Sequence, residues 1–256
     1  LQKLSKKKLI FNQQKIKNYL TYPDKTYGIN NETFFNDIYQ FPSSSYLKLN
    51  LKKNINLRFH KYWKLNIQNE KKNFYEACKD IKKITQNVLR TGIRSDVPNS
   101  VLVSGGLDSN TIISNALKFS KINGYSLKSS ISNYDETKQI KSSERLNKFK
   151  TNFISSRSTN SLNLLKNLIN YGYNPLMTPT GLGLGLLCKK IKKDKNKVLL
   201  TGIGGDELFC GYYVNFLSHI LSYKNKKFFE EKYSFWEKNI KKFIRNPNLK
   251  NFKIAG

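Results

Sequence analysis

The sequence is short of cysteine, of acidic residues and of long apolar runs, and each shortage removes a class of protein. The three cysteines, Cys78, Cys188 and Cys210, stand far apart and form neither a CxxC pair nor a metal-ligand spacing. That excludes a cysteine-built metal centre and a disulfide scaffold, and an odd count without a secretion signal indicates reduced thiols. Cys78 and Cys188 fall within apolar helical patterns, where they are expected to pack. No apolar stretch approaches the roughly 20 residues that cross a bilayer, so no membrane span is expected. The opening LQKLSKKKLIFNQQ carries lysines but no apolar core and no small-residue cleavage site, which makes it a poor signal peptide. A soluble, cytoplasmic protein is the expectation. Residue 1 is Leu, and the closing KNFKIAG carries no helix-stop signal, so the chain reads as a fragment at both ends. It contains no internal repeat.

Acidic residues number 17 against 46 Lys and Arg, a net charge of +29. Such a balance attracts nucleic acid or anionic membrane. The lysines, however, run along the whole chain among many asparagines and isoleucines, three residue types with A/T-rich codons. Arginine, the better ligand for planar phosphate and base contacts, is scarce beside lysine. The charge is therefore read as genome composition, and nucleic acid is not an expected partner. It would still help to draw in a polyanion.

Against these shortages stands a hydrophobic fraction of 38% in 256 residues, enough for one domain with a core and part of a second. Up to residue 57 the pattern is mixed. A helix is expected over Ile10–Leu20, then a turn-rich segment, then short alternating runs at Tyr46, Leu47, Leu49 and Leu51 that suggest strands. From Asn73 to Arg90, Phe74, Cys78, Ile81, Ile84 and Val88 recur at helical spacing and predict one apolar face. Strand and helix then alternate. Strands are expected at Ser100–Val103, Tyr125–Ile131, Asn152–Ser155 and Lys197–Thr201. Helices are expected with Ile112, Ile113, Ala116 and Leu117 inside, then over Glu136–Phe149, Ser161–Asn170 and Leu182–Ile191. This alternation predicts an α/β fold, a parallel sheet with flanking helices. Beyond Tyr212 the chain reads as helical and lysine-rich, with Lys224, Lys226 and Lys227 on a solvated face.

The chemistry concentrates in Val101-Leu-Val-Ser-Gly-Gly-Leu-Asp-Ser109. A buried strand ends and a helix begins, with two glycines at the junction. Glycine lets the main chain approach a ligand closely. Successive N–H groups form an anion nest, and the helix N-terminus adds unpaired donors and partial positive charge. Ser104 and Ser109 add hydroxyls. Asp108 repels phosphate unless Mg²⁺ lies between them. The segment thus reads as a pyrophosphate cradle with one metal ligand. It is not the Walker loop, because no lysine follows the glycines. The plain alternative is a Gly-Gly turn capped by Ser or Asp. A second glycine-rich turn, Thr201-Gly-Ile-Gly-Gly-Asp206, follows another apolar strand. In open α/β sheets ligands bind at such strand ends. Glu207 and Asp206 could equally cap the helix that follows.

SGGxDS after an apolar strand resembles the signature of the PP-loop ATP pyrophosphatases, a superfamily holding asparagine, GMP and NAD synthetases and several tRNA-modifying enzymes. Three further stretches are similar to asparagine synthetases of the glutamine-hydrolysing kind. They are Arg94-Ser-Asp-Val-Pro98, Tyr134-Asp-Glu-Thr-Lys138 and Thr201-Gly-Ile-Gly-Gly-Asp-Glu-Leu-Phe-Cys-Gly-Tyr212, the last resembling SGEGxDELFGGY. Upstream, Glu32-Thr-Phe-Phe35, Tyr46-Leu-Lys48 and Lys61-Tyr-Trp-Lys-Leu65 resemble the junction between glutaminase and synthetase domains.

The resemblance implies an adenine nucleotide alpha hydrolase-like domain over residues 58–256, truncated at its C-terminus. Residues 1–57 would be the strand tail of an N-terminal-nucleophile glutaminase domain plus a linker. It implies a carbon–nitrogen ligase that cleaves ATP between its α- and β-phosphates, adenylates aspartate or a related carboxylate, and amidates it with ammonia. Glutamine would be the donor in the intact protein, and asparagine biosynthesis the setting. ATP and Mg²⁺ are the implied cofactors, and a homodimer is a compatible assembly. Leu102 or Val103 and Ser129 would flank adenine and ribose. Ser104, Gly105, Gly106 and Ser109 would line the phosphates, and Thr201 would belong to the same nucleotide site. Gly202 would let the main chain pass the sugar, and Asp108 and Asp206 would share the Mg²⁺.

The sequence departs from that family at three points. Ile203 stands where the family has Glu between two glycines, and an apolar side chain cannot accept a proton or meet the acceptor's charge. The N-terminal cysteine that hydrolyses glutamine is missing, so the ammonia would come from a domain outside this chain. The segment beyond Tyr212 is short and offers no assignable transition-state lysine. Two alternatives stay open: a PP-loop enzyme that modifies tRNA, and an asparagine synthetase-like protein impaired at Ile203.

Overall fold

The structure is a computed structural model, and it describes residues 8–22, 30–50, 57–66, 71–156, 160–244 and 250. Along the chain run α1 (Gln13–Thr21), β1 (Ser45–Leu47), β2 (Phe59–Lys61), α2 (Phe74–Gly92), β3 (Asn99–Leu102), α3 (Leu107–Ala116), β4 (Asn123–Lys128), α4 (Thr137–Asn147), β5 (Thr151–Ser155), α5 (Ser161–Gly172), α6 (Thr180–Lys193), β6 (Val198–Leu200), α7 (Gly205–Phe209), α8 (Tyr213–Leu221) and α9 (Lys226–Asn239). Packing divides the chain into two compact units, residues 1–83 with 156–189, and residues 84–155 with 190–256.

In the first unit, the Asn12 side chain caps α1 by accepting the Lys15 N–H at 3.0 Å. β1 and β2 pair antiparallel, with Tyr46 opposite His60. The strand signal at Leu49 yields no strand, and Leu51 lies outside the described residues. The Tyr19 hydroxyl donates to the Leu176 carbonyl at 2.6 Å, while its ring meets Phe34 edge-on.

The second unit is a four-stranded, all-parallel sheet in the order β5-β4-β3-β6. Helices flank it, as the alternating pattern predicts. Val101 and Val103 from the central strand region pack with Leu89, Ile93, Ile113, Ala116, Ile122, Ile140 and Phe149 in one buried cluster. Ile113 and Ala116 are fully buried, so the apolar side of α3 is where the sequence puts it. β4 begins and ends earlier than its apolar run suggests, stopping at Lys128. α4 ends because Lys148 turns left-handed at φ 55°. A smaller cluster of Leu217, Ile220, Trp236 and Ile244 joins α8 to α9.

Two packing expectations fail. Cys78 and Cys188 are exposed, as is Cys210. On α2 the periodic stripe Phe74, Ile81, Ile84 and Val88 is also exposed, while Leu89 is buried. Helical spacing fixes which residues share a face, but not which face meets the sheet. Among the described residues no helix is long and apolar enough to cross a membrane.

Candidate active site

The strand order places the site. After β3 the chain adds β4 and β5 on one side, then returns to lay β6 on the other side of β3. Connections leaving β3 and β6 therefore start from adjacent strand ends, the place where open α/β sheets bind ligands. The register pairs Val101 with Leu200, so both loops leave the sheet at the same height. Leu102 ends β3, and Ser104–Gly106 lead into α3. Thr201 and Gly202 follow β6 and lead into α7. Ser129 lies one residue past β4, the other neighbour of β3, where its Oγ accepts the Ile131 N–H at 3.1 Å.

The first loop is knotted by hydroxyls. Ser109 is 6% exposed, and its Oγ accepts the Ser104 N–H at 3.1 Å and meets the Ser104 Oγ at 2.8 Å. The Ser104 Oγ in turn accepts the Gly106 N–H at 3.2 Å. Asn110 ties the loop from below, donating to the carbonyls of Gly106 at 2.7 Å and Ser104 at 3.2 Å and accepting from the Ser143 hydroxyl of α4. The Gly105 N–H donates to Glu136 Oε2 at 2.9 Å. Gly106 caps α3 without a side-chain bond, which leaves that helix end a donor surface.

The second loop closes on the first. A Cβ on Gly202 would fall 2.9 Å from the Ser109 backbone nitrogen and 3.0 Å from Asp108 Cβ. A Cβ on Gly205 would collide with the Asp108 carboxylate. Glycines at 202 and 205 are thus what lets the two loops touch. Gly204, at φ 99°, makes the left-handed turn that starts α7. Asp206 comes next in the chain, half-buried. Ile203 stands at the loop's tip, 76% exposed, an apolar side chain held out into solvent.

Glu207 is tied to Tyr212. Its Oε1 accepts the Tyr212 hydroxyl proton at 2.7 Å, and that bond holds the Glu207 carboxyl below its usual range. The same bond is the main reason the Tyr212 hydroxyl is raised. Partial desolvation and the negative charges of Glu207, Asp206 and Asp108 add to it. The Asp108 carboxylate lies against Gly205, the residue before Asp206 in the chain. Among the described residues no group of three or more His, Cys, Asp and Glu could hold a metal. Asp108 lies in the first turn of the helix after the first glycine loop while Asp206 Oδ1 lies against Gly211, and Mg²⁺ takes one or two protein carboxylates and fills the rest with water and substrate phosphate.

Residues 80–252 match the asparagine synthase family, a span covering most of the chain and both loops. The chain belongs to the asparagine synthase family. It is 28% identical over 160 residues to the glutamine-hydrolysing asparagine synthetase 1 of Bacillus subtilis (strain 168), a match covering 61% of this chain and 25% of that protein. The chain thus spans about a quarter of the length of the curated relative it matches. Among solved structures, the NH3-dependent NAD synthetase of Campylobacter jejuni, in complex with nitrate, aligns with 67% of this chain and 89% of its own, at 14% identity and a TM-score of 0.37.

Within this family member, four residues of the site carry no signal that motif reading could use alone. Asn110 and Ser143 meet only in the fold. Tyr212 closes the DELF segment through Glu207, a pairing hidden by the five-residue gap. Glu136 sits in the Tyr134–Lys138 stretch, whose likeness to the family marks the place but not the contact with Gly105.

Proposed function

We propose that this chain carries the nucleotide-binding part of an ATP-dependent amidotransferase of the asparagine synthetase kind. Residues 58–256 would be the synthetase part and residues 1–57 the end of a glutaminase domain with its linker. The observation that carries the reading is the closure of two glycine loops, from neighbouring parallel strands, upon Asp108. Such a site suits a polyphosphate at its anion nest and a planar base between strand ends.

The main-chain N–H groups of Gly105 and Gly106 and the start of α3 hold the β- and γ-phosphates. Leu102, Ser129, Thr201 and Gly202 line the adenosine side. Asp108 and Asp206 would hold Mg²⁺, which when bound would supply positive charge to offset that of the departing pyrophosphate. An oxygen of the acceptor carboxylate attacks the α-phosphorus, and the bond from that phosphorus to the bridging oxygen breaks. Ammonia then attacks the acyl carbon, loses a proton, and AMP leaves. Positioning and preformed N–H donors supply most of the catalysis in such a transfer.

The acceptor is aspartate or a related carboxylate. Ile203 offers that acceptor no charge and no base, so its recognition falls to other groups or is weakened. The test is exchange of labelled pyrophosphate into ATP by the full-length protein. Exchange that depends on a carboxylate acceptor and is lost in Asp108→Asn supports the reading. A folded full-length protein that fails to bind ATP ends it.

A further inference from the structure

We propose that Glu136 is a built-in rival of pyrophosphate for the Gly105 amide, so that polyphosphate binding requires its displacement. The inference rests on the reading of Ser104–Ser109 as the pyrophosphate loop. Glu136 is the N-cap residue of α4, yet its side chain makes no capping bond. Its Oε2 instead accepts the Gly105 N–H at 2.9 Å. The first turn of α4 lies directly over the glycine: a Cβ there would stand 3.0 Å from Gln139 Cβ and 3.5 Å from Glu136 Cβ.

The other loop amides differ. Those of Ser104 and Gly106 donate to neutral serine hydroxyls, which carry no charge to oppose an incoming anion. The Gly105 amide is held by a charge, and charge-assisted hydrogen bonds are the stronger kind. A carboxylate and a phosphate oxygen cannot share one N–H, and their like charges repel at such range. Attraction of a polyanion would by itself favour a basic side chain here. A chain with 46 basic residues and 17 acidic ones nevertheless seats a carboxylate on the nest. Ligands that reach Gly105, pyrophosphate and ATP, must expel Glu136. AMP lacks the β- and γ-phosphates and does not compete for that amide.

Calorimetry with magnesium pyrophosphate and with AMP, at about 0.15 M salt so that distant charges are screened, tests the idea. The proteins compared are the wild-type chain, Glu136→Ala, Glu136→Gln and, as a charge-matched control, Glu230→Ala on α9. Glu136→Ala is expected to bind pyrophosphate roughly 5-fold tighter, with a smaller gain for Glu136→Gln, which keeps a neutral acceptor. AMP affinity stays unchanged, and Glu230→Ala matches wild type. A glutamate that merely holds the loop in shape gives the opposite sign, weaker pyrophosphate binding on removal, and that result overturns the proposal. Equal tightening by Glu230→Ala overturns it as well. If the wild type binds pyrophosphate and Glu136→Ala binds it no tighter, the rivalry alone falls. If neither binds, the reading of the loop falls and takes the rivalry with it.

Discussion

Gly202 and Gly205 have no room for a side chain because the first turn of α3 sits against both. At Gly202 the nearest atom is the Ser109 backbone nitrogen, which cannot swing aside. Gly202→Ala should therefore cost about 1–3 kcal/mol, read by urea unfolding, and weaken ATP binding with it. Cys210 gives a prediction of the opposite sign. It ends α7 in the left-handed region at φ 55°, where the family's motif carries glycine. Cys210→Gly should raise stability by about 0.5–1 kcal/mol, seen as a higher urea midpoint, because the strain of a left-handed L-residue is relieved. Ile203→Glu in the full-length protein tests the acceptor: a gain in asparagine formation marks lost chemistry, and no gain points to another carboxylate. At this scale the sequence reveals the glycines, serines and aspartates, since their types are what the chemistry demands. It does not reveal Asn110 or Glu136, whose partners Ser143 and Gly105 are brought near only by the packing of α4 on the loop.

Among elements, β4 carries the most informative polar contact. Tyr125 is 1% exposed, and its hydroxyl donates to Asp194 Oδ2 at 2.8 Å while accepting from Asn196 Nδ2 at 3.1 Å. Burial first, and then Asp194, push the phenol up to about 12. A raised folded-state value means that the native protein holds the proton where the unfolded chain has lost it. The stabilisation is full below pH 10 or so and fades as the pH climbs through about 12. Unfolding of the wild type should lose stability over that interval more steeply than Tyr125→Phe, a difference measurable by denaturant titration at each pH. The elements themselves were readable because apolar runs and glycine turns alternate. Their faces were less so. The stripe on α2 has clean helical spacing and lies in solvent, since periodicity says nothing about which neighbour is available.

For the molecule as a whole, the net charge of +29 is the feature most open to misreading. Spread lysines bind phosphate backbones weakly and without regard to sequence. Binding of tRNA should equal that of unrelated RNA and fall steeply between about 50 and 200 mM salt, as followed by filter binding. A tRNA preference that survives such salt would favour the nucleic-acid alternative. Family membership was legible because both loops keep their residue types, their order and their place after apolar strands.

The strand β6 has only three residues and, among the described residues, pairs with β3 alone. A short border strand is the part of a sheet that opens most readily. Yet it carries the second loop, so the proposed nucleotide site is complete only while this border stays zipped. Any ligand that bridges Asp108 and Asp206 then clasps the border shut. Amide protons of Leu199 and Leu200 should exchange with deuterated water more slowly once magnesium ATP is added, and those of β5 on the far border should keep their rate.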